Sequence, residues 1–153
     1  MVRKINNKGI TVIEIIIVAA IVAVILGISI PYYTKWKKRS SIESDTKKIY
    51  SILQMYRMKA FSEKKSFTVK INNNLLNIYQ GDTQVYSLKL ENPFSFIGSY
   101  NQLSIDQRGT FHGSSIYALD TEDINPQYDC IAIDDIRVRL GKYNKEEGKC
   151  VAK

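Results

Sequence analysis

One histidine, His112, and two cysteines, Cys130 and Cys150, are too few among 153 residues for a zinc site, and the cysteines are too far apart for a CxxC redox pair. His112 stands beside a glycine in an expected turn, with no Cys or Asp spacing around it that resembles a metal site, and reads as a surface side chain. Asp134-Asp135 invites a calcium reading, but two adjacent acids at an expected hairpin tip supply fewer converging oxygens than calcium needs, and they read as turn chemistry. No nucleophile, base and acid stand in a catalytic arrangement. The chain is therefore expected to be no enzyme and to hold no metal or other cofactor. Prolines number three, and neither Pro nor Gly interrupts Tyr32 to Ser62. There is no internal repeat and no low-complexity linker.

Polar side chains are missing from a second place. Between Ile10 and Ile30 only Thr11, Glu14 and Ser29 carry one. As a helix these 21 residues span roughly 32 Å, enough to cross the hydrocarbon of a bilayer. Lys8-Gly9 directly precedes the run, whereas an ordinary secretory signal has its small-residue cleavage site after the apolar part. A cut after Gly9 would keep the apolar part and create a new amino terminus at Ile10.

Glu14 then lies five residues into the mature chain. A lone carboxylate in lipid costs about 2.5–3.5 kcal/mol at the bilayer centre, less near the surface, and intramembrane acids usually have a partner. The liberated amine of Ile10 on a neighbouring copy or sibling chain would supply one. The plainer reading is a signal anchor whose shallow Glu14 snorkels or is protonated.

The string KGITVIEIIIV resembles the type IV pilin and pseudopilin signature, with a basic leader, Gly before the cut, an apolar first residue and Glu in fifth place. The resemblance implies a prepilin peptidase that cuts after Gly9 and N-methylates Ile10. It also implies storage of the helix in the inner membrane, with the head outside the cytoplasm, and later assembly with other pilins or pseudopilins. In that family the Glu, here Glu14, is thought to pair with a neighbour's terminal amine. Pro31 resembles the proline found in many such helices at this distance from the cut, where the ring removes one donor and favours a kink or local melting.

The formal charge is +7, and loss of Arg3, Lys4 and Lys8 with the leader would leave +4, which permits a phosphate-binding patch without demanding one. Those three cations argue for a cytoplasmic N-terminus, but Lys35, Lys37, Lys38 and Arg39 crowd the other flank as heavily. That second cluster reads as head-group contact on the outer face or as a solvated helix face. Between Cys130 and Cys150 a disulfide would close a loop of roughly 20 residues, worth around 3 kcal/mol in an oxidising compartment; two free thiols is the other reading.

Residues 32–62 read as an amphipathic helix continuing the hydrophobic one, with Tyr33, Trp36, Ile49, Ile52, Leu53, Tyr56 and Ala60 at spacings of three, four and seven. From Ser66 the period becomes two. Phe67, Val69 and Ile71 alternate with polar residues, Asn73-Asn74 and Gly81-Asp82 turn the chain, and a meander through Leu90 is expected. Pro93 ends it. Phe94 to Tyr100 reads as irregular or a short edge strand, followed by Leu103–Asp106, a turn at Gln107–Gly109, a strand near Ser115–Leu119, and Cys130–Ile133. Ile136–Leu140 reads as a last strand before a Lys-rich tail.

LSIDQRGTFHGSSIYAL and CIAIDDIRVRLGKYNKEEGKC resemble the C-terminal half of the GspH/FimT branch, the H-type pseudopilins of type II secretion and related minor pilins. Alternation puts Arg137 and Arg139 on one strand face, a geometry suited to phosphate. Some FimT-type minor pilins carry a Gly-Arg-x-Arg motif here for DNA uptake, although Ile136 stands where that motif has Gly. The reading against DNA is a salt-bridged strand face.

The expected organisation is α+β. A leader at 1–9 precedes a transmembrane or filament-core helix at 10–31, an amphipathic helix at 32–62 packed on the head, and a small antiparallel β head at 63–153 with a C-terminal disulfide loop. The expected role is a structural subunit of a type II secretion pseudopilus or a type IV pilus. A DNA-binding minor pilin and a plain membrane-anchored domain are the alternatives.

Overall fold

The computed structural model describes residues 10–121 and 124–153, without the side chains of Ile28 and Ser29. Residues 1–9, where a leader with Lys8 and Gly9 is expected, lie outside the described residues. The chain divides between Trp36 and Lys37 into two compact units.

Helix α1 runs Val12–Glu63. Its apolar part is rich in Ile and Val, mediocre helix formers in water, but in lipid a helix satisfies every backbone group within the segment. Thr11 starts it. The hydroxyl Oγ1 of Thr11 accepts from the Glu14 amide at 3.4 Å, and the Thr11 carbonyl accepts from the Ile15 amide at 3.3 Å. Thr11-x-x-Glu14 thus has the spacing of a capping box. Helical residues continue without interruption through Pro31. Thr34 Oγ1 donates to the Pro31 carbonyl at 2.9 Å.

Along the second unit the buried positions of α1 are Ile42, Asp45, Thr46, Ile49, Ile52, Leu53, Tyr56 and Ala60, a stripe of helical period. The helix ends one residue beyond the expected Ser62. Lys64 adopts φ 54° and the Lys65 amide donates to the Ala60 carbonyl at 3.3 Å, the closure of a Schellman motif with Lys where Gly is usual.

The strands in chain order are β1 Phe67–Asn72, β2 Leu75–Gln80, β3 Thr83–Lys89, β4 Phe94–Phe96, β5 Gln102–Ile105, β6 Phe111–His112, β7 Ile116–Ala118, β8 Cys130–Ile133, β9 Val138–Asn144 and β10 Lys149–Ala152. They form two five-stranded sheets rather than one, ordered β3-β2-β1-β5-β6 and β10-β9-β8-β7-β4. Every pairing is antiparallel. Asn73-Asn74 closes the first hairpin, with Asn73 at φ 55°, and Gly81 takes φ 60° at the second.

Alternation holds on the core side. Phe67 and Val69, Leu76 and Ile78, Leu103 and Ile105 from the first sheet join Phe94, Phe96, Ile116 and Ile131 from the second. The stripe Ile42–Ala60 belongs to the same cluster. Each fully buried Phe, Leu or Ile contributes about 1.5–3 kcal/mol.

Three sequence expectations change. His112 belongs to the short strand β6 rather than a turn, paired opposite Ser104. The strand expected at Ile136–Leu140 begins only at Val138, because Asp134 to Arg137 form the hairpin turn: the Asp134 amide donates to the Arg137 carbonyl at 2.8 Å and the Arg137 amide to the Asp134 carbonyl at 3.3 Å. The Lys-rich tail is ordered as the β9–β10 hairpin, with Gly148 at φ 61° near its turn.

Candidate functional site

Thirteen large apolar side chains between Ile10 and Ile30 are described, and each is 47–76 % exposed. Leaving such a set in water forgoes on the order of tens of kcal/mol of burial, more than the 5–15 kcal/mol that holds a typical domain together. This surface therefore needs a cover. One helix of the described residues has the length and hydropathy to cross a membrane, and this is its apolar part.

Within that surface Glu14 is the only acid. It shares a groove of about 470 Å³ with Ile10, Ile15, Val18, Ala19 and Val22. The capping bond from its amide to Thr11 fixes the first turn, so the carboxylate is carried one turn in from Ile10 on an ordered helix end.

In the second unit, Cys130 on β8 and Cys150 on β10 are joined by a disulfide, Cα atoms 5.9 Å apart. Asp129, next to Cys130, accepts from the Tyr143 amide at 2.6 Å; burial raises its carboxyl above the ordinary range against that bond. Tyr143 stacks on Tyr117 with ring centroids 4.3 Å apart.

Arg137 and Arg139 are both exposed, but the structure separates their settings. Arg137 stands in the turn. Arg139 lies on β9 and donates through its guanidinium to Asp134 Oδ2 at 3.0 Å. The same aspartate that closes the turn thus already neutralises one of the two arginines. His112 Nε2 lies 3.7 Å from Asp106 Oδ2, and no group of His, Cys, Asp and Glu among the described residues could hold a metal ion.

Two polar arrangements escaped the sequence. Asp45 is fully buried at a position of the apolar stripe. Its Oδ2 accepts from the Glu91 amide at 2.8 Å, the Asn92 amide at 3.0 Å and Asn92 Nδ2 at 3.0 Å, while Oδ1 accepts from Lys48 at 2.9 Å. The bond from Lys48 in turn raises the pKa of that ammonium. This carboxylate ties α1 to the β3–β4 connection. A carboxylate in phase with Ile42, Ile49 and Leu53 was the available signal. Second, Arg57 Nε donates to the Gly109 carbonyl at 3.0 Å, and a side chain on Gly109 would meet Arg57 Cγ at 3.2 Å. The turn before β6 therefore seats directly on the helix.

A long N-terminal helix followed by paired antiparallel sheets is also the architecture of a solved minor pilin. The crystal structure of the type IV minor pilin FimU of Pseudomonas aeruginosa superposes with a TM-score of 0.53 at 12% identity, over 70% of this chain and 92% of that one. The chain has the pilin fold. The minor pseudopilin EpsH from the type 2 secretion system of Vibrio cholerae is matched with a TM-score of 0.48 at 16% identity, over 65% of this chain and 95% of that one. No protein-family model matches the sequence, and no curated protein matches it. In this pilin fold the exposed apolar helix, rather than a cavity lined by reactive groups, is the feature that calls for a function.

Proposed function

We propose that the chain is a non-enzymatic filament subunit, a minor pilin or pseudopilin that is stored in the inner membrane and assembled with sibling chains into a type IV pilus or a type II secretion pseudopilus. The observation that carries this reading is the uncovered apolar surface from Ile10 to Ile30, with Glu14 as its only acid, on a chain of pilin fold. Lipid covers that surface first, and neighbouring helices of the same kind cover it in the filament. A prepilin peptidase cuts after Gly9 and N-methylates Ile10, and the new amine of one subunit meets Glu14 of another. The head, with its Cys130–Cys150 disulfide, faces an oxidising compartment outside the cytoplasm.

Mass spectrometry of the chain recovered from its producing cells tests this directly. The expected mature N-terminus is methylated Ile10. A chain that retains Met1, or that starts elsewhere, leaves a membrane-anchored domain without filament assembly. A DNA contact at the β8–β9 hairpin is the second reading: it would draw on Arg137 and would compete with Asp134 for Arg139.

A further inference from the structure

We propose that Tyr32, Tyr33, Lys35 and Trp36 form a collar that binds the headgroups of anionic phospholipids in the leaflet where the apolar run ends. This rests on the membrane-anchoring reading above and names the lipid chemistry that the anchor recognises.

The position follows from length. The run that begins at Ile10 and ends at Ile30 covers the hydrocarbon, so the next helical turn stands at the headgroup boundary. Three aromatics follow within six residues of Ile30, and all are exposed: Tyr32 by 73%, Tyr33 by 61% and Trp36 by 63%. Tyr33 and Trp36 keep their ring centroids 6.0 Å apart with the planes tilted by 34°, so two apolar rings with polar tips stand side by side. Rings of this kind favour the membrane boundary, where the body leaves water and the hydroxyl or indole N–H stays wet.

The charge is one-sided. Between Glu14 and Glu43 the sequence has no acidic residue, while Lys35 is followed by Lys37 and Lys38. None of these three lysines is in an ion pair among the described residues. Lys35 and Tyr32 line a depression of about 270 Å³ with Pro31, which brings an ammonium and a phenol donor to one opening. A phosphodiester has the charge and the acceptor oxygens for both donors. Thr34 does not compete, since its hydroxyl is held by the Pro31 carbonyl. A zwitterionic headgroup offers the same phosphate but brings its own cation, so the unneutralised lysines select the anionic lipid.

Trp36 is the only tryptophan, so its fluorescence reports on the collar alone. The full chain is reconstituted in phosphatidylcholine vesicles containing phosphatidylglycerol as about a third of the lipid, with a nitroxide quencher placed on either headgroup at equal mole fraction. The phosphatidylglycerol label is expected to quench Trp36 at least about twofold more strongly, and K35Q/K37Q/K38Q to reduce the ratio to about one while still floating with the vesicles. Equal quenching by the two labels in a chain that floats overturns the collar and leaves anchoring intact. So does a preference that survives in the triple variant, or quenching that weakens as the protein-to-lipid ratio rises, which would mean that a second copy covers the rings. A chain that does not float removes the anchoring reading and the collar together.

Discussion

Gly141 and Cys150 meet through a missing side chain: a β-carbon on Gly141 would stand 2.9 Å from the Cys150 sulfur and would run into the Val151 carbonyl oxygen. Gly141 lies on β9, opposite Cys130 of β8 on one side and Ala152 of β10 on the other. The disulfide therefore links the two outer strands past the one residue of the middle strand that has nothing to obstruct it. Room demands glycine here, since its φ is outside the left-handed region.

Gly141→Ala should accordingly destabilise the chain by about 1–3 kcal/mol, as overpacking does in a rigid core. Because the nearer obstacle is backbone, the penalty should persist in Cys130→Ser/Cys150→Ser, which alone should cost around 3 kcal/mol through the loss of a loop of roughly 20 residues. Denaturant unfolding of the four chains separates the two effects. If Gly141→Ala costs nothing once the sulfurs are gone, the backbone contact with Val151 is not what excludes the side chain.

Asp45 offers a sharper test of how the helix is tied to the sheets. Asp45→Ala would leave the amides of Glu91 and Asn92 without their acceptor and would remove one of the two acceptors of Asn92 Nδ2, which keeps Ser41 Oγ. Buried unpaired donors cost about 1–3 kcal/mol each, so a loss of 3 kcal/mol or more is expected in thermal or urea unfolding. Asp45→Asn keeps one acceptor oxygen and should lose less. Equal losses for Ala and Asn would mean that the charge on Asp45, and not its acceptor geometry, holds the β3–β4 connection.

Asp106 gives the pH dependence. Hydrogen bonds from the Thr110 hydroxyl and amide, then from the Arg108 amide, hold its carboxyl down to about 2, below the ordinary value of 3.8. A depressed folded pKa means that the stabilisation is present above the unfolded value, near pH 4, and is lost as pH falls through about 2. The Arg108 and Thr110 amides should stay protected from exchange down to about pH 3 and open below it. A midpoint at the ordinary carboxylate value would refute the assignment.

The elements that were legible in the sequence are those in which one period rules. Ile49, Ile52, Leu53, Tyr56 and Ala60 repeat with the helix and are buried. Phe67-Val69 and Leu76-Ile78 alternate and form the β1–β2 hairpin at the expected Asn73-Asn74 turn. What was not legible depends on atoms far apart in the chain. Asp45 breaks the apolar stripe because its partners are in the β3–β4 connection, 46 and 47 residues on. The split into two sheets follows from long-range pairing, β1 with β5 and β7 with β8, which no local pattern encodes. Tyr33 and Trp36 kept the period but stayed exposed, since periodicity identifies a face and not what covers it. At the candidate site the apolar run and Glu14 could be read from composition, while the Thr11 cap came from geometry.

Glu14 carries the last prediction. A carboxylate in lipid costs about 2.5–3.5 kcal/mol at the bilayer centre and less near the surface, a cost that the cationic partner proposed for the filament would relieve. If relief of even half that cost drives entry, Glu14→Ala and Glu14→Gln should both lower incorporation into sheared filaments by about tenfold, since 1.4 kcal/mol is a factor of ten. On the proposed processing both variants should still start at Ile10, because Glu14 lies beyond the Gly9–Ile10 bond that would be cut. Thr11→Ala, which removes only the cap, separates local helix order from charge: it frees the Glu14 amide but leaves the acid, so it should enter filaments nearly as well as the unmodified chain. Quantitative mass spectrometry of the filament fraction against the membrane fraction gives the ratio for each. Full incorporation of Glu14→Gln would mean that the side chain's shape suffices and that no amine is paired with it.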